Sequence, residues 1–145
     1  MDFMHIALDE ARQAAAEGEI PVGAVLVKDG AVIAKAHNRR ENDHDPTAHA
    51  ELLCLREGAR ILGDWHMKGC TLYVTLEPCP MCAGAMVMSQ LSRCVYGAAD
   101  DKQGCCGSVY DLPGDPALGS QTQWQSGVMV EECGELLRSF FSNKR

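Results

Sequence analysis

Two short stretches of the sequence carry side chains that can bind a metal ion and move protons. The first is LEPCPMC, in which Cys79 and Cys82 stand three residues apart, and the second is PTAHAELL, which supplies His49 and Glu51. Cys and His are preferred zinc ligands, and a carboxylate beside a zinc ion can transfer protons to and from an activated water. These residue types therefore indicate hydrolytic metal chemistry, although each stretch alone has simpler interpretations.

The spacing of Cys79 and Cys82 suits either metal binding or a redox reaction. Proline is favoured in the first helical turn, so Pro80 predicts that a helix starts here and that both sulfurs project to one side. The free N–H groups and the dipole of a helix start stabilise thiolates, as metal binding requires. On this motif alone, a redox-active CxxC pair remains an alternative.

His49 and Glu51 are separated by one residue, and such positions do not face each other on a helix. They converge only if the metal lies beyond the first turn, near the N-terminal end of the helix. A lone histidine in a first turn is more often a surface or capping residue. Together with two cysteines, however, it completes three ligands suited to zinc and leaves a fourth position for water, which is the catalytic arrangement. A closed structural zinc site, completed by a spare cysteine, is the other interpretation of the cluster.

The N-terminal half of the chain must place His49 at the start of a helix. Helical spacing of apolar residues predicts a first helix over 2–17. PVGAVLVKDGAVIAKAHN then predicts a β-hairpin with Asp29 and Gly30 as its two-residue turn. After a polar loop, a second helix is expected over about 48–62 with Thr47 as its N-cap.

The C-terminal half must bring the cysteine pair to the same place. The expected elements are a buried strand at 70–76, a helix from Pro80, strands at 93–98 (RCVYGA) and 127–132 (GVMVEE), and a last helix at 132–142. DLPGDPALGSQTQWQSG at 111–127 is expected to be a long loop, at the rim of a site or as a lid. The order of elements predicts a three-layer α/β/α domain over 1–145, with a mixed five-stranded sheet and an N-terminal antiparallel hairpin.

Composition limits the kind of protein this is. The chain has 145 residues, of which 46% are hydrophobic and 23% charged. It has no apolar run near the ~20 residues that cross a bilayer and no recognisable signal peptide, so a cytoplasmic protein without membrane contact is expected. The net charge of −7 argues against a broad phosphate-binding surface, because nonspecific nucleic-acid binding depends on Lys and Arg.

Six of the eight cysteines stand outside the CxxC pair. In the reducing cytoplasm we expect free thiols rather than disulfides. Four follow apolar patterns and are expected to be small buried residues: Cys54, Cys70, Cys94 and Cys133. Cys105 and Cys106, which are adjacent in a glycine-rich stretch, favour tight packing over redox chemistry.

HAE at 49–51 and PCPMC at 78–82 match the H-x-E…P-C-x-x-C signature of zinc-dependent nucleobase deaminases. Within that superfamily the chain most closely resembles the bacterial tRNA-specific adenosine deaminases. EIPVGAVLV, HDPTAHAE, LYVTLEPCPMCAGAM and YGAADDKQGCCGS carry the resemblance, which covers nearly the whole chain and is densest from 45 to 108. It implies a cytidine-deaminase-like fold, a homodimer, and conversion of adenosine to inosine, with release of ammonia, at the wobble position of a tRNA anticodon.

The resemblance also implies roles for the residues of the two motifs. His49, Cys79 and Cys82 correspond to the ligands of one zinc ion per subunit. Glu51 corresponds to the residue that transfers protons to N1 of adenine and to the leaving ammonia while C6 is attacked. The apolar helix after Cys82 suits the interface of a homodimer.

Further residues are implied to bind the RNA. Asn38 corresponds to a residue that binds the target nucleoside, and the backbone N–H of Ala50 to a donor for the oxygen that develops at C6. Asn38 could equally be a simple turn residue. The expected RNA contacts are Asp100, Asp101, Lys102, Lys144 and Arg145. The two aspartates have the alternative interpretation of a solvated charged pair.

The chain departs from the family at Ala99, where a basic residue is common, and at Cys105 and Cys106, where smaller residues are usual. Both departures affect the expected RNA groove and not the expected catalytic residues. A free-base deaminase acting on guanine or cytosine is the main alternative function, and a noncatalytic zinc domain is a second one. YGAADDKQGCCGS and the basic C-terminal end count against the first, and Glu51 counts against the second.

Overall fold

The chain folds into helices on both sides of one β-sheet, and a computed structural model describes it over residues 2–143. The elements in chain order are α1 (Phe3–Ala16), β1 (Gly23–Lys28), β2 (Ala31–His37), α2 (Ala50–Leu62), β3 (Cys70–Leu76), α3 (Pro80–Met88), β4 (Arg93–Ala98), β5 (Gln123–Gln125) and α4 (Val130–Asn143). A short 3-10 turn, Pro116–Leu118, lies ahead of β5. None of the helices in this described range is long and apolar enough to cross a bilayer.

The sheet is mixed, as the sequence predicts, with the strand order β2-β1-β3-β4-β5. β1 pairs antiparallel with β2 and with β3, whereas β3, β4 and β5 run parallel. Asp29 and Gly30 form the predicted two-residue turn, with φ angles of 52° and 76°. Such positive φ angles at both positions match the right-handed twist of the two strands.

Successive side chains of the strands point to opposite faces and build two cores. Ala24 and Leu26 of β1 pack with apolar residues of α2 and α3. Val25 and Val27 of the same strand pack with apolar residues of α1 and α4. The predicted three-layer α/β/α arrangement is therefore confirmed, with the sheet as the middle layer.

The cysteines outside the CxxC pair are all buried, as predicted. Cys105 and Cys106 have an exposed fraction of 0%, so both residues are packed inside the protein. All eight cysteines lie within the described residues and are free thiols. The structure therefore agrees with the expected absence of a disulfide framework.

The prediction of a strand at 127–132 is wrong, because α4 already begins at Val130. Met129 has a φ of 54°, which breaks an extended chain at that point. Two acidic residues in the first turn of α4 favour the helix through its dipole. The fifth strand is instead Gln123–Gln125, which lies inside the segment expected to be a loop and pairs with β4.

The predicted N-cap of the second helix is also wrong. The N-cap is His49, and α2 begins at Ala50 rather than at position 48. Thr47 forms a turn with Asp45, whose Oδ1 accepts hydrogen bonds from the Thr47 N–H at 2.8 Å and hydroxyl at 2.7 Å. The local turn occupies the threonine hydroxyl, so the helix starts two residues later.

Candidate metal centre and its cavity

The starts of α2 and α3 meet at the site. His49 is the N-cap of α2 and Cys79 is the N-cap of α3, and neither side chain makes a capping hydrogen bond. Both side chains are therefore available to a ligand. Cys82 lies in the first turn of α3 and is fully buried. Strand β3 leads directly into α3, so the sheet fixes the cysteine pair.

The three side chains form a cluster with the dimensions of a zinc site. His49 Nδ1 lies 3.6 Å from Cys79 Sγ and 3.5 Å from Cys82 Sγ. All three potential ligand atoms lie within 4.8 Å of one another. Tetrahedral zinc with ordinary Zn–N and Zn–S bonds would separate nitrogen and sulfur by about 3.6 Å. The donor set and the spacing thus fit zinc.

The close contact of the three side chains also shifts the pKa of each of them. A hydrogen bond from Cys82 and the neighbouring His49 lower the pKa of Cys79 to about 4, despite its partial burial. The hydrogen bond with Cys79, together with burial, raises the pKa of Cys82 well above its usual value. The hydrogen bond with Cys79 raises the pKa of His49. Metal binding displaces such protons, because thiolate and neutral imidazole are the binding forms.

Glu51 is buried beside the cluster, with an exposed fraction of 4%. Burial raises the pKa of its carboxyl group from 4.5 to about 7. A carboxyl group with a pKa near neutrality can both hold and release a proton at physiological pH. Glu51 lies in the first turn of α2 and lines the same cavity as His49 and Cys79.

The cluster opens onto a cavity of about 510 Å³. This volume lies within the usual range of small-molecule binding sites. Residues that sequence analysis singled out line it together: Asn38, His49, Ala50, Glu51, Cys79, Asp100, Asp101 and Lys102. The open side of the ligand cluster therefore faces a space in which a substrate can lie, whereas a structural zinc site is closed by a fourth protein ligand.

Asn38 is buried at the edge of this cavity, with an exposed fraction of 7%. Its Nδ2 donates to the Ile20 carbonyl at 3.3 Å, and its Oδ1 accepts from the Arg40 N–H at 3.1 Å. An amide has two N–H donors and two lone pairs, so these bonds use half of its capacity and orient the rest. The nucleoside-binding role of Asn38 stays a prediction.

The predicted RNA-contacting residues fall into three groups. Asp100 is half-buried and its Oδ1 accepts from the N–H groups of Lys102 and Gln103 at 3.0 and 3.2 Å, so it closes a turn and is not merely a solvated charge. Asp101 and Lys102 are exposed at the cavity. Lys144 and Arg145 lie outside the described residues.

Sequence reasoning missed several residues of the cavity. Arg40 and Gln103 line it, and Phe141 of α4 contributes an aromatic ring that is 52% exposed. The apolar stripe of the last helix included Phe141, but the stripe alone does not separate a core residue from a cavity residue. The position of Phe141 near the C-terminal end of the last helix is the one sequence feature that sets it apart from the core residues of the stripe.

The family comparison agrees with the geometry. Residues 1–98 match the family model described as the cytidine and deoxycytidylate deaminase zinc-binding region. A tRNA-specific adenosine deaminase of Bacillus subtilis (strain 168) is 48% identical over 143 residues, which are 99% of this chain and 89% of that protein.

Solved structures extend the comparison to the fold. A structure from a study of A-to-I editing by tRNA:A34 deaminases at the wobble position of transfer RNA has a TM-score of 0.90 and 43% identity, covering 93% of this chain and 98% of that one. The X-ray structure of a Bacillus subtilis guanine deaminase has a TM-score of 0.65 and 39% identity over 68% of this chain and 66% of that one. The chain thus belongs to the zinc-binding cytidine and deoxycytidylate deaminase family, in the branch of the tRNA-specific adenosine deaminases.

Proposed function

We propose that the protein hydrolyses adenosine to inosine and ammonia at the wobble position of a tRNA anticodon. The observation that carries this proposal is the His49, Cys79 and Cys82 cluster, which opens onto a cavity with the buried Glu51 at its edge. The near full-length similarity to a tRNA-specific adenosine deaminase supports adenosine in RNA as the substrate.

The cluster would hold one zinc ion per chain through His49 Nδ1 and the two cysteine sulfurs. When bound, zinc supplies an activated water at neutral pH. The surrounding helix starts direct N–H groups toward the negatively charged thiolates and stabilise them. The chain as a whole, residues 1–145, would act as a single deaminase domain.

Glu51 would move the protons of the reaction. Its carboxylate accepts a proton from the water that attacks C6 and gives it to N1 of the adenine ring. A second proton from the same water passes to the amino group at C6, which leaves as ammonia, so that the base becomes hypoxanthine. The burial of Glu51 supports this role, because the pKa of about 7 matches repeated proton transfer at neutral pH.

Asn38 and Ala50 would hold the nucleoside during these steps. Asn38 offers a second amide N–H and a second lone pair at the cavity, beyond the bonds that orient it. Ala50 is the first residue of α2, and its backbone N–H has no acceptor within the helix because it lies in the first turn. That N–H is suited to the negative charge that develops on oxygen at C6.

The substrate would be bound as a flipped base with few phosphate contacts. A net charge of −7 does not favour extensive binding of RNA phosphates. The proposed contacts to neighbouring nucleotides are therefore few: Asp100, Asp101, Lys102, Lys144 and Arg145. A cytoplasmic location suits a tRNA substrate and a chain whose cysteines are all free thiols.

The protein would act as a homodimer that pairs through α3. Met88 of this helix is 76% exposed, and every residue of α3 is apolar, glycine or proline apart from Cys82. An exposed apolar helix face of this kind is typical of a subunit interface.

Deamination of free guanine is the second candidate, because a guanine deaminase shares part of the fold at 39% identity. That similarity covers 68% of this chain, compared with 99% for the tRNA-specific relative. The test is to incubate zinc-loaded protein with an anticodon stem-loop that carries adenosine at the wobble position, and in parallel with free guanine and free cytosine. We expect inosine in the RNA; ammonia from a free base, with no inosine in the RNA, would favour the second candidate.

A further inference from the structure

We propose that Glu19 and Glu77 are a pair of positioning residues that hold two loops lining the cavity, an inference whose consequence for the reaction rests on the proposed function. The 38–49 loop contributes Asn38 and Arg40 to the cavity. The 99–108 loop contributes residues 99–103. Each loop donates hydrogen bonds to one buried glutamate that lies outside the loop.

Glu77 binds the 99–108 loop through four donors. It has an exposed fraction of 2% and lies directly after β3. Its Oε1 accepts from the Asp100 N–H at 3.0 Å and from the Ser108 hydroxyl. Its Oε2 accepts from the N–H groups of Cys106 at 2.9 Å and Ser108 at 3.0 Å. Because all four partners donate, a carboxylate satisfies them, whereas an amide would set its own N–H groups against two of them.

The backbone of this loop is fitted closely around the carboxylate. A Cβ atom on Gly104 would lie 2.3 Å from Glu77 Cδ and 2.5 Å from the Asp100 carbonyl oxygen. No side chain fits at such distances, so the glycine permits the loop to close over Glu77. The path of the loop is thus determined by one buried side chain.

Glu19 binds the 38–49 loop in the same manner. It has an exposed fraction of 1% and lies between α1 and β1. Its Oε1 accepts from the Glu41 N–H at 3.1 Å. Its Oε2 accepts from the backbone N–H and the side-chain amide of Asn42, both at 2.7 Å. Each of the two loops therefore donates backbone N–H groups to one buried carboxylate next to a strand of the sheet.

The backbone that the two glutamates bind, at 41–42 and 100–108, includes none of the reacting groups. Glu51 and Cys82 lie on α2 and α3, and His49 and Cys79 are the N-caps of these helices. A loosened loop would therefore displace groups that surround the substrate, such as Arg40 and Lys102, and leave the proton-transfer group in place. Loss of contacts that bind substrate and transition state alike raises KM and leaves kcat nearly unchanged.

The first test measures whether the loops are held, without reference to any substrate. Hydrogen–deuterium exchange is compared in zinc-loaded wild type, Glu77→Gln and Glu19→Gln. We expect Glu77→Gln to speed exchange of the Asp100, Cys106 and Ser108 amides, and Glu19→Gln to speed exchange of the 41–42 amides, so that each variant is the control for the other. Unchanged exchange in both loops would overturn the inference, whatever the enzyme's substrate.

The second test measures the consequence on the anticodon stem-loop with adenosine at the wobble position. We expect Glu77→Gln to raise KM roughly tenfold, as for the loss of a hydrogen bond to a charged group, with kcat and zinc content close to wild type. Ser108→Ala removes one donor without changing the charge, and we expect a smaller rise in the same direction. Glu57→Gln, on the exposed side of α2, should leave KM unchanged.

The outcomes separate the inference from the proposed function. A lower kcat at unchanged KM, or loss of zinc from Glu77→Gln, would contradict loop positioning and assign Glu77 to the metal site. If Glu77→Gln does not fold, Ser108→Ala and Glu19→Gln decide the question. If wild type forms no inosine, the proposed function fails, and the exchange measurement still decides whether the glutamates hold the loops.

Discussion

His49 and Cys79 occupy the same position, the N-cap, of two helices whose starts meet, with Nδ1 and Sγ 3.6 Å apart. Neither side chain caps its own helix, so both point into the space between the helices. The positive ends of two helix dipoles converge there, which favours thiolate at Cys79. The ligand cluster is thus built from helix starts that the sheet brings together.

Removal of zinc should expose one cysteine to alkylation. Cys79 is half-buried, whereas the other seven cysteines are buried. We expect iodoacetamide to modify Cys79 first in chelator-treated protein and to leave it unmodified in zinc-loaded protein. Mass spectrometry of tryptic peptides measures this, and first modification at Cys105 or Cys106 would contradict the described burial.

Substitution of Gly23 should destabilise the fold through a backbone clash. A Cβ atom at this position would lie 2.0 Å from the Ala7 carbonyl oxygen and 2.5 Å from the Ala11 nitrogen. We expect Gly23→Ala to lower the free energy of unfolding by about 1–3 kcal/mol, as overpacking does. Gly134→Ala is the control, because the Cβ would meet the flexible end of Arg138. Equal denaturant midpoints for the two variants would rule out a close approach of α1 and β1.

The contribution of Glu19 to stability should depend on pH. Burial raises its pKa, but the N–H groups of Asn42 and Glu41 outweigh this and lower the pKa below 4.5. A lowered folded-state pKa adds stability above the unfolded value, which is lost as the pH falls through the folded value. We expect Glu19→Gln to cost about 1–3 kcal/mol at neutral pH, as for hydrogen bonds to a charged group.

The difference between wild type and Glu19→Gln should shrink below pH 4.5, and urea unfolding at a series of pH values measures it. Glu57→Gln serves as the control because that carboxylate is on the surface, where ion pairs contribute little. A difference that is constant across the acid range would contradict an ionised, hydrogen-bonded Glu19.

Charge on the exposed face of α3 should prevent dimer formation. Met88 is 76% exposed at the end of this apolar helix. We expect Met88→Lys to shift the protein from dimer to monomer in sedimentation analysis, because burying an unpaired charge is costly. Val32→Lys, at the β2 edge of the sheet, is the matched control and should remain dimeric. A wild-type protein that sediments as a monomer would contradict the proposed interface.

Local sequence signals predicted the parts of the fold that depend on local physics. Asp29 and Gly30 specify their hairpin because both can adopt positive φ angles. His49, Cys79 and Cys82 were recognised together because three residues suited to zinc stood at two helix starts. The sequence predicts the start of α2 wrongly, because a turn at Asp45 competes with the capping role of Thr47.

Long-range contacts explain what the sequence did not show. Gln123–Gln125 is short and polar and becomes a strand only because the edge of β4 is available to it. Glu19 and Glu77 resemble surface acids in the sequence, since their partners are backbone N–H groups more than twenty residues away. Such partners depend on the complete fold, so residue type alone does not identify the two glutamates.

The most direct test of the account compares wild type with Glu51→Ala on an anticodon stem-loop that carries adenosine at the wobble position. Inosine formation and zinc content are measured on the same zinc-loaded samples. The account predicts inosine from wild type, none from Glu51→Ala, and equal zinc in both, because Glu51 moves protons while His49, Cys79 and Cys82 bind the metal. Inosine formed by Glu51→Ala at the wild-type rate, or none formed by zinc-loaded wild type, would contradict it.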